Sequence, residues 1–429
     1  MADGGAGFRA FSFAFNNVSY KLVVTAASAY GADSAEGARL EFLAYYAVAG
    51  QRCCRRDNSC GLPHEIAPKV TCGLAGGGRP GGFLFRHPDL MNVAVIKCAL
   101  AAEDLRAMRG APLVAVKMDI EGARADCDVC IQHVQTVHAA VLCTEPFFGY
   151  GMRSAFWHGV PRYFDGEDLL TSFIVHHLDV ARFGHVTINA YDPAFRELVR
   201  PFAGARVAYR GGWDIAFFME GDDTNHEALD FEVLAEATCL WEHRLDARWV
   251  FIVHAADNFL SSAVPGEGVS EALARIDASK VSGIELPIVI ATTNHSIPHD
   301  GIWRLNNVLQ RWSLRAPCPA DHMGSYGCGD WRTIPAANPR HVDHHLVHEN
   351  KGRLALFRDN VKGDAAFGLT KLFVTHILGL AREDWDSNDG VRDAALSDTA
   401  ERLDHALEAT RTLQRAQKWG PGVRSNLRG

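Results

Sequence analysis

The segment from residue 230 to residue 260 constrains the fold most, because it places a helix directly before a buried strand. Residues 249–253 form an apolar run that is too short for a helix and rich in aromatic and β-branched side chains, which predicts a buried strand. The apolar residues before it recur at helical spacing: Phe231, Val233, Leu234, Ala237, Leu240 and Trp241. This pattern indicates an open α/β sheet, in which ligands bind beyond the carboxyl ends of the strands. Asp257 follows the strand, so it is placed to hold a metal ion or a sugar nucleotide.

Composition and charge limit the classes of function. The 429 residues predict two or three domains, and a hydrophobic content of 48% is enough for a large core. The net charge of −8 argues against a general nucleic-acid-binding protein, because such proteins usually carry a basic surface. No apolar stretch of about 18 residues and no signal peptide is evident. We therefore expect no membrane span in this chain. Either the protein enters no membrane, or its anchor has been removed or lies on an upstream segment.

The eleven cysteines leave two alternatives open. In an oxidising compartment some of them would form disulfides, and at least one thiol would stay free because their number is odd. In the cytosol all of them would act as small hydrophobic residues. Cys127 and Cys130 form a CxxC pair, but a zinc site of this kind needs a second pair at matching spacing, and the sequence shows none.

The apolar pattern divides the chain into three parts. Residues 1–138 contain short strands separated by glycine, proline and aspartate clusters, which predicts a β-sandwich-like domain. Residues 139–395 alternate strands with helices, which predicts an α/β domain with a mainly parallel sheet. Residues 396–429 include a predicted helix over 398–419 that packs on the α/β domain. Its expected apolar stripe consists of Ala400, Leu403, Leu407 and Leu413.

The motif around Asp257 resembles glycosyltransferase family 92, which includes the plant β-1,4-galactan synthases. That family carries a cysteine-containing helix, an apolar strand with a tryptophan, and then the sequence Asp-x-Asp-Glu-Phe. The matching residues here are Cys239, Trp249, Asp257 and Phe259. This chain departs from the motif at two positions, because Ala255 replaces the first aspartate and Asn258 replaces the glutamate.

Two later segments extend the resemblance. Residues 339–348 contain Pro-Arg-His-Val and then Val-His, similar to the family's proline-arginine, valine and valine-histidine series, so His348 is similar to the family histidine. Residues 370–376 are a predicted aromatic strand that ends in His376, where the family has a pair of histidines; Val374 replaces the other one. The resemblance covers residues 139–380, with a fainter N-terminal match to a carbohydrate-binding module.

The resemblance implies a GT-A-like nucleotide-sugar transferase domain preceded by a carbohydrate-binding-module-like domain. The implied reaction transfers a hexose, galactose from UDP-galactose, to a glycan or polysaccharide hydroxyl with inversion. The partners would be a UDP-hexose and a glycan acceptor, and a homodimer is one option. Golgi localisation is implied, with a soluble or cytoplasmic protein as the alternative. The expected cation is Mn²⁺ or Mg²⁺, because carboxylate and imidazole ligands suit these ions.

The candidate site residues follow from the matched motifs. The expected cation ligands are Asp257, His348 and His376. The expected donor-binding residues are Cys143, Thr144, Glu145, Glu232, Asp257 and Asn258. Transfer also needs a carboxylate within hydrogen-bond reach of the acceptor hydroxyl. Asp300, in a loop that matches a family Asp-Gly in order, is the expected catalytic base, with Asp321 and Asp330 as alternatives.

The loss of a motif carboxylate at Ala255 leaves several functions open, because cation sites of this kind owe their affinity to ligand charge. The chain could bind its donor without metal, or His254 could compensate in part. It could also be a catalytically inactive carbohydrate-binding protein on the same fold. A metal-dependent hydrolase that uses Asp257 and a histidine cluster is a further alternative. If the segment is helical, one of its faces carries His341, His344, His345 and His348.

Overall fold

The computed structural model describes two large β-sheets and the helices that pack against them. No helix in the described part of the chain is long and apolar enough to cross a membrane. The described residues are 9–30, 37–49, 68–73, 79–85, 93–101, 104, 113–131, 137–147, 149–150, 159–160, 169–211, 213, 234–254, 256–292, 307–311, 314–315, 333–346, 349–352, 355–358, 369–377, 391–392 and 394–418.

The N-terminal part of the chain forms one sheet of eight strands that closes on itself. The strands are β1 (Arg9–Phe15), β2 (Val18–Tyr30), β3 (Arg39–Val48), β4 (Val70–Gly73), β5 (Arg79–Phe85), β6 (Val93–Ala99), β7 (Leu113–Ile120) and β8 (Ala123–Ile131). Their order is β1-β2-β3-β6-β5-β4-β7-β8 with antiparallel neighbours, and β8 returns to pair in parallel with β2.

The closure of this sheet depends on the length of β2. Residues 18–24 of β2 pair with β1, and Ser28 and Ala29 pair with β8 beyond a register shift between Val24 and Ala26. One long, irregular strand therefore serves two neighbours at different points along its length. The segment is β-rich as predicted, but it is a single closed sheet and not the two facing sheets of a sandwich.

The second large sheet has eleven strands. They are β9 (His138–Thr144), β12 (His185–Asn189), β13 (Val207–Arg210), β14 (Ala247–Val253), β15 (Asn258–Ser262), β16 (Val281–Thr292), β17 (Leu314–Arg315), β18 (Thr333–Ala337), β21 (Ala355–Arg358), β22 (Leu372–His376) and β23 (Val391–Arg392). Two small ladders pair β10 (Gly149–Tyr150) with β11 (Gly159–Val160), and β19 (Val342–Leu346) with β20 (Glu349–Gly352).

One half of the second sheet is parallel, with the strand order β13-β12-β9-β14. The chain moves outward from β9 to β13 and then returns to the other side of β9 as β14, so the order reverses between β9 and β14. In the other half, β15, β17 and β18 run antiparallel to their neighbours. The α/β prediction is therefore confirmed at the level of a mixed sheet with helices, and the predicted parallel arrangement holds only for part of it.

Helices connect the parallel strands and cover the sheet. They are α1 (Leu169–Val175), which continues as a π-helical turn (His176–Val180), α2 (Ala194–Val199) with a 3₁₀ turn (Arg200–Phe202), α3 (234–242), α4 (Val269–Leu273), α5 (Val308–Arg311) and α6 (Ala394–Lys418). The predicted helix before β14 is confirmed as α3 from residue 234 onward, and Phe231 and Val233 lie outside the described residues. The predicted strand is confirmed as β14.

Strand β14 is buried on both faces, as expected for a strand inside a helix-covered parallel sheet. Trp249, Phe251 and Val253 join the core that contains α1 and α6. Val250 faces the other way, into a small cluster with Cys239 of α3. Helix α3 also contributes to the core of the N-terminal sheet, together with β3 and β6. It therefore connects the two sheets.

The C-terminal helix gives the first prediction. Leu403 is fully buried, whereas Leu413 is 64% exposed and lies in the mostly exposed stretch 408–413 of α6. The predicted apolar stripe is therefore wrong at Leu413. We expect Leu403→Ala to lower the free energy of unfolding by about 2–5 kcal/mol, because it leaves a cavity in the core. Urea unfolding of the full chain measures this, with Leu413→Ala as the control that should change stability by less than about 0.5 kcal/mol. Equal losses in both variants would contradict the packing of α6.

Candidate functional site

The carboxyl ends of β9 and β14 lie side by side where the strand order of the sheet reverses. The backbone N–H of Glu145 donates to the carbonyl oxygen of Val253 at 2.9 Å, so the residue after β9 is held against the last residue of β14. In open α/β sheets this reversal leaves a crevice outside the strand ends, and ligands bind there. The position predicted for Asp257 is therefore the one at which a ligand site is expected.

Glu145 and His254 form a pair at this edge. The Oε2 atom of Glu145 lies 2.8 Å from Nδ1 of His254. The Glu145 side chain is only 2% exposed, and that of His254 is 19% exposed. A carboxylate that is nearly removed from water needs a hydrogen-bonding partner, and the imidazole provides one. The pair holds the His254 ring in one orientation.

Asp257 and His376 form a second pair. The Oδ2 atom of Asp257 lies 3.3 Å from Nε2 of His376, because β15 and β22 are antiparallel and place Asn258 opposite His376. The backbone N–H of Ile377 also donates to the Asp257 carbonyl oxygen at 3.0 Å. Two ligands at right angles on one octahedral cation lie about 3 Å apart, so this pair has the spacing of adjacent cation ligands.

Asn258 joins this pair through the nitrogen of its side-chain amide. Its Nδ2 atom donates to Oδ1 of Asp257. Its Oδ1 atom is buried and has no hydrogen-bond partner among the described residues. A buried amide oxygen without a partner costs free energy, and amide oxygens are ligands for hard cations. The asparagine that replaces the motif glutamate is therefore compatible with a cation beside Asp257.

Two buried histidines, which sequence reasoning did not assign to the site, hold the strand that follows Asp257. The Nε2 atom of His176 donates to the carbonyl oxygen of Leu260 at 2.8 Å, and the Leu260 N–H donates to Nε2 of His177 at 3.3 Å. The Nδ1 atom of His177 lies 2.8 Å from the Phe173 carbonyl oxygen, so this ring carries its proton on Nδ1. Phe259 stacks on His177 and lies edge-on to His176. The only sequence signal is a His-His pair within an apolar helix.

The structure corrects the roles of two predicted donor-binding side chains. Cys143 forms a disulfide with Cys239 across the β9–α3 contact, so its thiol is not available to a nucleotide. The Thr144 hydroxyl is buried and accepts the backbone N–H of Asn189 at 3.0 Å, while Asn189 Nδ2 donates to the Thr144 carbonyl oxygen at 2.6 Å. These contacts tie β9 to β12 and α3.

Other predicted site residues lie outside the described part of the chain. These are Glu232, Ala255, Asp300, Asp321, Asp330 and His348. The histidine-rich segment is partly described, and the helical alternative for it is wrong. Residues 342–346 form strand β19, which pairs with β20 as an antiparallel hairpin, so the spacing of His341, His344 and His345 does not define a helical face.

Comparisons with known proteins leave the family open. No family model, no curated protein and no solved structure matches the chain. The resemblance to glycosyltransferase family 92 therefore stays a prediction that depends on the matched motifs alone.

The buried histidines predict a pH-dependent stability. Burial lowers the pKa of His176 to about 4 and lowers the pKa of His177 well below its usual value. The unfolded chain takes up these protons as the pH falls below about 6.5, but the folded chain takes up that of His176 only near pH 4. The stability that depends on these neutral histidines should therefore be fully present above about pH 6.5. The free energy of unfolding should fall, by up to about 3 kcal/mol for His176, as the pH decreases towards 4.

Chemical denaturation at pH 7.5 and pH 5.0 measures this loss. His176→Gln keeps a donor for Leu260 but cannot titrate, so its loss between the two pH values should be smaller than that of the wild type. His405→Asn removes an exposed histidine of α6 and is the matched control. If His176→Gln and His405→Asn had the same pH dependence as the wild type, His176 would not be the titrating group.

Proposed function

We propose that the chain is a nucleotide-sugar-dependent hexosyltransferase with a GT-A-like domain, and that the donor diphosphate binds at the carboxyl ends of β9 and β14. The observation that carries this proposal is that His254 and Asp257, three positions apart after β14, each belong to a carboxylate–imidazole pair, Glu145–His254 and Asp257–His376. These residues follow the strand that borders the reversal of strand order. The family motif places its Asp-x-Asp sequence at the same point of the chain.

Asp257 and His376 are the residues that would hold a divalent cation. Their donor atoms, a carboxylate oxygen and an imidazole nitrogen, suit Mn²⁺, and their 3.3 Å spacing fits adjacent positions on one ion. A cation bound there would neutralise charge on the leaving diphosphate. Asn258, which already bonds Asp257, would keep that carboxylate in a fixed orientation. His348 stays the predicted third protein ligand.

His254 is suited to bind the donor directly. Its ring is partly exposed and Glu145 holds it in one orientation, so it could contact the donor without first ordering the side chain. This contact would replace part of the interaction that the missing motif carboxylate makes through the cation. Asp300 stays the predicted base for the acceptor hydroxyl, and the β-rich N-terminal module is the proposed binding site for the glycan chain.

A catalytically inactive carbohydrate-binding protein is the second candidate. Asp257 and His376 contact each other directly, and in the described part of the chain they belong to no group of three histidine, cysteine, aspartate or glutamate ligands within metal-binding distance. Two protein ligands bind a cation weakly, because affinity in such sites depends on the number and charge of the ligands. This candidate would bind sugars without turnover.

Calorimetry with UDP-galactose, in the presence and absence of Mn²⁺, tests the binding proposal. We expect binding to the wild type that Mn²⁺ strengthens, and we expect Asp257→Asn or His376→Gln to weaken the Mn²⁺-dependent part by at least about tenfold, because each removes a ligand. Asp277→Asn is the control, since Asp277 is an exposed carboxylate whose contacts are with Ser279 and Lys280. A natively folded wild type that binds no UDP-galactose under either condition would contradict the proposal.

Turnover separates the two candidates. A panel of UDP-hexoses, scored for UDP release with oligosaccharide acceptors, should show one preferred donor for a transferase. Binding of oligosaccharides without UDP release from any donor would favour the inactive carbohydrate-binding protein.

A further inference from the structure

A second cluster of ligand-type side chains lies inside the protein, on the face of β9 opposite the core with α1. Cys143 of β9, Cys239 of α3 and His243 just after α3 are all buried, and one ligand atom from each lies within 4.8 Å of the others. It is the one group of three such residues found among the described ranges of the chain. The two sulfur atoms are joined as a disulfide in this structure.

His243 is oriented as metal-binding histidines usually are. Its Nδ1 atom lies 3.0 Å from Oδ1 of Asp246, so the ring donates one N–H to a carboxylate and keeps Nε2 for a second contact. Such a carboxylate fixes the tautomer and the ring plane of a metal ligand. His185 lies beside it, with ring centroids 5.4 Å apart, and its Nδ1 contacts the Ala205 carbonyl oxygen at 3.1 Å.

The surroundings of the cluster favour a neutral complex with a soft ligand set. Val141, Ala247 and Val250 pack around the two cysteines, so a net charge there would be poorly solvated. Two thiolates balance the charge of one Zn²⁺ ion, and the imidazole adds a ligand without adding charge. Ligand atoms around a tetrahedral Zn²⁺ lie about 3.5–3.8 Å apart. The three ligand atoms here already lie within 4.8 Å of one another, so this spacing is within reach once the sulfur–sulfur bond is broken.

We infer that Cys143, Cys239 and His243 form a redox-gated Zn²⁺ site, distinct from the candidate sugar-nucleotide site. In the oxidised protein the disulfide links β9 to α3. An external dithiol supplies two electrons and two protons, becomes a disulfide itself, and leaves two thiols on the protein. Zn²⁺ then displaces the two thiol protons into solvent and binds the two thiolates and Nε2 of His243. Asp246 is a positioning residue for His243. Either state connects the strand to the helix.

Zinc content measures the gated site. The full chain is reduced with a dithiol, separated from it under argon, given excess Zn²⁺ and passed through a desalting column before elemental analysis. We expect the reduced wild type to retain about one zinc ion per chain more than the oxidised wild type and more than a reduced Cys143→Ser/Cys239→Ser variant. The matched control is Cys72→Ser/Cys98→Ser, which removes the other described disulfide and should retain as much zinc as the reduced wild type.

Two further measurements keep the outcome decisive. Asp246→Asn should weaken zinc affinity about 10- to 100-fold, because it releases the His243 ring. If reduction unfolds the chain, added Zn²⁺ should restore the native circular dichroism spectrum, since a ligand that binds only the folded state stabilises it. Equal zinc content in the reduced wild type and the Cys143→Ser/Cys239→Ser variant would overturn the inference. So would a reduced chain that stays unfolded with Zn²⁺, because the cysteines would then serve as a disulfide only.

Discussion

The placement of the candidate site depends on the hydrogen bonds that two buried imidazoles make with one residue, Leu260. His176 donates to the carbonyl oxygen of Leu260, and His177 accepts the Leu260 N–H, so both backbone groups of this residue are satisfied without another strand. Unpaired backbone groups in this interior would otherwise cost free energy. Because β15 begins directly after Asp257, the same contacts fix where that carboxylate meets His376.

The π-helical turn makes this arrangement possible. It extends α1 by residues 176–180 and turns both imidazoles towards β15, and such insertions in helices are frequent at functional sites. Helix α6 supports the turn from the other side, since the Arg402 guanidinium donates to the Val180 carbonyl oxygen at 2.6 Å. The candidate site therefore depends on packing between elements that are far apart in the sequence, and not on the motif segment alone.

Local sequence patterns predicted the helices and strands of this fold better than the contacts between them. Helix α3, strand β14 and helix α6 follow from apolar periods that a single segment displays. The Glu145–His254 contact joins residues 109 positions apart, and the Cys143–Cys239 disulfide spans 96, so neither has a local signal. Strand direction is likewise set by the path of the chain, and the antiparallel β15, β17 and β18 were not distinguishable from parallel strands by composition. The exposed Leu413 shows that an apolar stripe on a helix can extend beyond the part of the helix that packs on the core.

The charge of the candidate site bears on how a diphosphate would bind there. The family motif would place three carboxylates in residues 255–258, and this chain keeps one of them, Asp257, beside an imidazole. Fewer negative charges bind a cation less tightly but also repel a diphosphate less. Glu145, the other carboxylate at this edge, is nearly buried and paired with His254. A site with one imidazole for each carboxylate therefore depends less on a cation than a site with the family pattern would. Donor binding without metal would be consistent with the proposed transferase.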